Sequence, residues 1–269
     1  MEFKAPRGTS DHLPDLKAYW NKIELIARET AKSFGYNEIT TPVFEQTGLF
    51  KRAVGEGTDV VQKEMYNLTD LGGNEFTLRP EGTAPVCRAF VEHGMHNLPY
   101  PLRLFYIEPM FRHERPQSGR MRQHHQFGVE IFGDNSPEAD AEIILVGLTY
   151  LKKLGIKNLK LKLNSIGNNN SREKFRKEFL DYFSAKKNDL PEIDKKKLDI
   201  NPIRILDSKE KVTMDLILDS PKPIEFLDDE SEKHWEKLQS IVNQMIEHYD
   251  DVDLVIDHNL VRGLDYYSM

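Results

Sequence analysis

The sequence predicts an α+β fold: an antiparallel sheet flanked by helices, with an inserted helical module. Three observations carry that expectation. Strand-like runs come in neighbouring pairs joined by short polar turns. The long helical patterns do not alternate with single strands in the βαβ manner of a parallel sheet. Near residue 165 the texture changes to a highly charged, helix-patterned stretch.

In residues 14–33, Leu16, Tyr19, Trp20, Ile23, Ile26 and Ala27 recur at helical spacing, and Gly35 follows as a stop. The next run, YNEITTPVFEQ, is β-branched and aromatic around Pro42. A proline there marks an edge or the start of a pairing element, because it has no N–H to donate. KEMYNLTD and NEFTLRP flank LGG and predict a hairpin in which Gly72 and Gly73 supply positive φ. Residues 81–93 predict a helix ended by Gly94, and PLRLFYIEPMF and QHHQFGVEIF predict two paired strands. Ser136 and Pro137 suit an N-cap and first helical residue for a helix running to Gly155. LKLKLNSIG alternates as a strand, and DVDLVID is a second strand that returns to the style of the first part. The expected domains are a core over residues 1–166, a helical insertion over 167–249, and a return to the core over 250–269. In the insertion, Lys195, Lys196 and Lys197 lie among acids and predict a solvated face.

Composition excludes several classes. The chain has 269 residues, 39% of them hydrophobic, enough for one large or two ordinary cores. No run approaches the roughly 20 apolar residues of a membrane helix, and the start MEFKAPRGTSDHLPD lacks the apolar segment of a secretory signal. Cys87, the single cysteine, permits no disulfide framework or thiolate zinc cluster and suits a reducing, cytoplasmic setting. On its helix it is expected to be a small buried residue. A net charge of -7 argues against a surface coated for non-specific nucleic-acid binding.

The stretch FRHERPQSGRMRQHHQFGVEIFG, residues 111–133, holds the densest chemistry. Alternate strand residues share a face, so Glu130, Gly128, Gln126 and His124 point one way while Ile131, Val129 and Phe127 point the other. The preceding strand splits alike, with Arg112, Met110 and Glu108 against Phe111, Ile107 and Phe105. Pairing the two strands brings Arg112, Gln126 and Glu130 to one surface. That surface is either a solvated sheet face with Arg–Glu pairs or a ligand site. Two further clusters, Arg79 with Glu81 in TLRPEGTAP and Arg262, Asp265, Tyr266 and Tyr267 in RGLDYY, suit a small zwitterion beside a phosphate. No metal site is expected, since His124 and His125 point to opposite faces without a bulge. No GxSxG elbow or GxxxxGK[ST] loop occurs.

TPVFEQTGLFKRAVGEGTDVVQKEMY, TLRPEGTAPVCRAF, MFRHERPQSGRMRQHHQFGVEIFG and LVRGLDYYS resemble the histidyl-tRNA synthetases, class II aminoacyl-tRNA synthetases, over essentially the whole chain. The first helix with the Pro42 strand is similar to the dimer-forming class II motif 1, the hairpin from about Leu104 to Phe132 to motif 2, and RGLDYY to a histidine-specific signature. The resemblance implies an antiparallel sheet flanked by helices, and a ligase that joins L-histidine to ATP, taken with Mg²⁺, and then charges tRNA(His), as a homodimer. It implies that Arg112 and Arg262 are the catalytic arginines, Arg112 holding the α-phosphate and the substrate carboxylate. Glu81, Thr83 and Gln126 would bind the α-ammonium side of histidine, with Gly82 in the same site. Glu130 with Tyr267 would read the imidazole, and Tyr266 and Arg262 belong to the same histidine site. Glu114 would face adenine, His124 would stack on it where the family usually has Phe, and Arg115, Arg120 and Arg122 would close over phosphates or meet the acceptor stem. Met269 precedes any glycine-rich motif 3 or anticodon-binding domain, so a truncated chain with poor or no charging is expected. The alternative is a histidine-sensing regulatory subunit of ATP phosphoribosyltransferase.

Overall fold

A computed structural model gives the fold and describes residues 3–55, 58 and 60–261. They separate into two compact units, residues 1–135 with 142–156, and residues 136–141 with 157–269.

The first unit begins with α1 (Pro14–Ser33), which starts on Pro14 and ends where Gly35 takes φ +80°. Only the later part of its apolar stripe is covered, at Ala27, Thr30 and Ala31. Leu16, Tyr19 and Ile23 stay exposed. The run around Pro42 is two strands rather than one: β1 (Asn37–Glu38) pairs parallel with β5, residues Leu102–Phe111, and β2 (Phe44–Gln46) pairs antiparallel with β4, residues Glu75–Leu78. Thr41 and Pro42 form the corner between them, where a residue without N–H removes no ladder bond. After α2 (Thr47–Val54), β3 (Tyr66–Thr69) and β4 make the expected hairpin. Gly73 alone takes positive φ there, at +83°, because Asp70 accepts the backbone N–H groups of Gly73 and Asn74 and closes the turn around that one residue.

Helix α3 (Thr83–Glu92) begins two residues later than the sequence pattern suggests, because both oxygens of Glu81 are committed to its first turn. Strand β5 then pairs antiparallel with β6 (Gln123–Phe132) over their whole length, with Leu104 opposite Glu130 and Glu108 opposite Gln126. One face of this sheet packs Phe105, Phe127, Val129 and Ile131 with Ala31 of α1 and with Val146 of α4, the helix Pro137–Lys153. The other face carries Leu104, Tyr106 and Met110 against Val86 of α3. The face bearing Glu130 is therefore covered, not solvated. Cys87, expected to be buried, is exposed on α3 because it points away from the side that carries Val86.

The second unit holds β7 (Leu159–Leu163) and β8 (Val252–Ile256), paired in parallel. Parallel neighbours need a long crossover. The helices α5 (Asn169–Ala185), α6 (Glu192–Ile200), α7 (Lys211–Leu218) and α8 (Asp229–Ile246) supply it. Phe175, Phe179 and Phe183 line one face of α5 at i, i+4 spacing and join Leu198, Ile205 and Ile217 in the core of this unit. Asn168 and Asp228 cap α5 and α8 through the N–H groups of Ser171 and Ser231. Of the lysine run, Lys196 is exposed, while Lys197 pairs at 2.7 Å with the fully buried Asp194 and belongs to the packing.

Candidate active site

The sheet face beneath α3 concentrates ionisable groups that a structural role does not require. Glu81 lies at the start of α3 and is 3% exposed. Its Oε2 accepts the Thr83 N–H and its Oε1 the Ala84 N–H, both at 2.8 Å. Burial still pushes its carboxyl above the ordinary range, against those bonds and the charge of Arg112. Glu130, on β6, accepts a hydrogen bond from Thr83 Oγ1 at 2.8 Å. Burial, opposed by the Thr83 bond and reinforced by the Glu81 charge, raises its pKa to about 7. Two carboxylates thus share a poorly hydrated space, and Gln126 on the same strand face has a buried Oε1 with no hydrogen-bond partner among the described residues. Both carboxylates already accept hydrogen bonds, so of the three it is the Gln126 oxygen that stands open to a donor.

The cationic side is built by the strand ends. Arg112 donates from Nε to the Pro80 carbonyl at 2.8 Å, and its N–H bonds to the Arg122 carbonyl at 2.9 Å. Its charge acts on both Glu81 and His124. Burial first, and Arg112 second, hold His124 below the usual imidazole range, which favours the neutral ring. In the loop Arg120 and Glu114 approach to 3.4 Å, and Arg122 Nε donates to the Glu114 carbonyl at 3.2 Å. His125 is turned to the opposite face, where it packs on Trp20 and His12, with ring centroids 4.7 and 5.7 Å away.

Buried carboxyls beside a loop rich in arginines are a chemistry suited to a zwitterionic amino acid and a phosphate. The family model for histidyl-tRNA synthetase matches residues 8–268. The chain belongs to the histidyl-tRNA synthetase family. A curated relative from Thermosynechococcus vestitus, named histidine–tRNA ligase, is 47% identical over 268 residues, covering 100% of this chain and 61% of the relative. The crystal structure of apo S. aureus histidyl-tRNA synthetase is 35% identical with a TM-score of 0.74, over 99% of this chain and 60% of that one. An ATP phosphoribosyltransferase regulatory subunit/histidyl-tRNA synthetase from Bacillus halodurans shares the fold at 24% identity and TM-score 0.65, over 100% of this chain and 71% of that one. The chain spans about six tenths of the length of the curated relatives it matches.

Within this synthetase-family chain, Glu81, Gly82, Thr83, Gln126 and Glu130 gather on one side of the β5–β6 sheet, and Arg112, Glu114, Arg120, Arg122 and His124 gather at its loop end. Arg262, Tyr266 and Tyr267 lie outside the described residues. Arg79 does not join the ligand cluster. It is 1% exposed and turned into the core against Glu108, because its guanidinium finds the Thr41 and Pro109 carbonyls there. Sequence reasoning missed Tyr106, which is 2% exposed and hydrogen-bonds to Glu130, and it missed Gly8, whose carbonyl accepts the Arg122 and Gln123 N–H groups. The strand parity that selected Glu108 and Met110 places Tyr106 on the same face and could have found it.

Proposed function

We propose that this chain is the histidine-activating part of a histidine–tRNA ligase. The observation that carries the reading is the pair of buried carboxylates, Glu81 and Glu130, beside a Gln126 Oε1 that finds no partner among the described residues, with Arg112 within electrostatic reach of Glu81. Histidine matches that array: its ammonium meets Glu81, Thr83 and Gln126, an imidazole N–H meets Glu130, and its carboxylate meets Arg112. A ligand without a donor at the imidazole position leaves part of Glu130's acceptor capacity unfilled, which gives the site discrimination.

In the first step a carboxylate oxygen of histidine attacks the α-phosphorus of ATP, taken with Mg²⁺, and pyrophosphate leaves. In the second, a hydroxyl of the terminal ribose of tRNA(His) attacks the adenylate carbonyl and AMP leaves. Arg112 and Arg262 stabilise the charge that develops at the α-phosphate; Glu114, Arg120, Arg122 and His124 hold ATP. Positioning and electrostatics carry both steps, since no side chain forms a covalent bond. Gly82, Tyr266 and Tyr267 enter through the family motifs.

The domain reading is a catalytic core over residues 1–166 and 250–269 with a helical insertion over 167–249. A two-fold homodimer is supported by the exposed Leu13, Leu16, Tyr19 and Ile23 of the first-helix region. No helix among the described residues is long and apolar enough to cross a membrane, and we place the protein in the cytoplasm. A regulatory subunit that only senses histidine is the second reading. The ATP-side set of Arg112, Glu114, Arg120 and Arg122 favours the ligase, because a sensor has no use for it.

The test is the melting temperature against a panel of amino acids, with and without ATP and Mg²⁺. Histidine alone is expected to raise it, and Arg112→Ala and Glu130→Ala to abolish the rise. A folded sample that responds to no amino acid, or equally to all, would sink the reading.

A further inference from the structure

Two glycines in the site share a neighbour. A Cβ built on Gly82 would lie 2.3 Å from the Tyr106 ring, and one built on Gly128 would lie 2.1 Å from it and 2.3 Å from its hydroxyl oxygen. Neither glycine has a positive φ. Backbone conformation therefore does not explain them, and the room they leave for this one ring does. Tyr106 lies directly opposite Gly128 in the β5–β6 register, and Gly82 closes over it from the start of α3. The ring is held in a slot between sheet and helix, 2% exposed.

From that slot the hydroxyl interacts with Glu130, two residues beyond Gly128 on β6. We propose that Tyr106 is the positioning residue that sets imidazole specificity. With Thr83, it holds the Glu130 carboxylate in one orientation and occupies part of its acceptor capacity, leaving room for a single ligand N–H. This rests on the histidine reading above and deepens it, giving Gly82 and Gly128 a steric role that the ligand contacts do not supply. Thr83 Oγ1 takes Glu130 Oε1 at 2.8 Å, and the Tyr106 hydroxyl is the second donor. A carboxylate with two fixed hydroxyl donors cannot swing to meet a ligand of different shape, so a side chain whose N–H falls elsewhere leaves a buried charge short of partners.

The supporting electrostatics have a defined sign. The charged and titratable groups acting on Glu130 are Glu81 and Cys87 from α3, Tyr106 from β5, and Tyr36, which precedes β1. Of these, only the Tyr106 hydroxyl favours the ionised carboxylate. Removing it moves the protonation of Glu130 to higher pH, and histidine binding that needs the carboxylate weakens on the acid side.

The experiment is histidine-dependent ATP–pyrophosphate exchange by the intact protein, for wild type, Tyr106→Phe and Gly128→Ala, from pH 6 to 9. Tyr106→Phe keeps the ring and its packing, so its melting temperature should stay near wild type. Its KM for histidine is expected to rise roughly 10- to 100-fold, the size of one hydrogen bond to a charged group. The KM for ATP should be unchanged, and the acid limb of the histidine profile should move to higher pH. Gly128→Ala, which displaces the ring, should reproduce the histidine defect. An unchanged histidine KM and pH profile in Tyr106→Phe would overturn the proposal, as would losses in both substrates that track a lowered melting temperature. Wild-type protein that shows no histidine dependence would overturn the histidine reading itself and this proposal with it, so the two failures are told apart by the wild-type arm.

Discussion

Arg79 and Glu108 form an ion pair of 2.7 Å with both side chains withdrawn from water, at 2% and 6% exposure. Thr41 completes the arrangement: its N–H and hydroxyl donate to the two Glu108 oxygens, and its carbonyl accepts from Arg79. The corner at Pro42 is thereby fastened to β5. The Arg79 carbonyl accepts the Phe111 N–H, and the neighbouring Pro80 carbonyl holds Arg112. The foundation of the candidate site is thus a buried polar knot.

Arg79→Met should destabilise the protein by about 3–5 kcal/mol, since it strands the Glu108 charge in the interior. Arg79→Met with Glu108→Leu should recover much of that loss, because no unpaired charge remains. Urea unfolding of the single and double variants decides it; equal losses in both would show that packing, not charge, sets the effect.

Glu130 has a pKa of about 7 in the folded chain against an ordinary 4.5. The folded state keeps a proton that the unfolded chain has released. Its contribution is complete below about pH 4.5 and is lost as pH rises through about 7. Glu130→Gln should flatten that part of the stability–pH curve and stabilise the free protein at pH 8 by up to about 3 kcal/mol. Parallel curves for the two proteins would show that the carboxyl is not raised.

Gln126→Leu replaces a buried acceptor that has no hydrogen-bond partner among the described residues. Stability without ligand should hold or rise by about 1 kcal/mol, while histidine binding weakens roughly tenfold. Calorimetry reads both; a destabilised variant with normal binding would mean that Gln126 is structural.

Asp194 is fully buried and accepts from Ser208 at 2.6 Å, from Thr213 at 2.7 Å, and pairs with Lys197 at 2.7 Å. Burial alone would raise its pKa, but Lys197, Ser208 and Thr213 outweigh it and hold the carboxyl below the usual range. Its stabilisation is present above the ordinary carboxylate pKa and is lost as pH falls below it. Asp194→Ala should cost about 3 kcal/mol at pH 7 and less near pH 3. An equal loss at both pH values would contradict this.

Phe179 is 0% exposed, with ring centroids 5.2 Å from Phe175 and 4.7 Å from Phe183. Phe179→Ala should cost about 3–5 kcal/mol as a cavity opens in the helical core. A loss under about 1 kcal/mol in the unfolding midpoint would mean that the stripe collapses to fill the space.

The amino-acid sequence by itself determined the elements whose cause is local. The α1 stripe, the Pro137 helix start, the Gly35 and Gly155 stops and the period-2 alternation of β5 and β6 follow from the nearest few residues. The same alternation sorted Gln126 and Glu130 from Phe127, Val129 and Ile131, and the motifs carried the family. Tertiary structure alone decided what lies against each face. Arg79 and Glu81 are two residues apart in one motif, yet one is drawn into the core by Glu108 and Thr41 while the other faces Glu130. Cys87 is exposed by the rotation of α3, and β7 and β8 are parallel because four helices intervene. Tyr106 acquired its role from glycines 24 residues before it and 22 after it. Charge, space and partner are set by groups distant in sequence, and a local pattern carries no record of them.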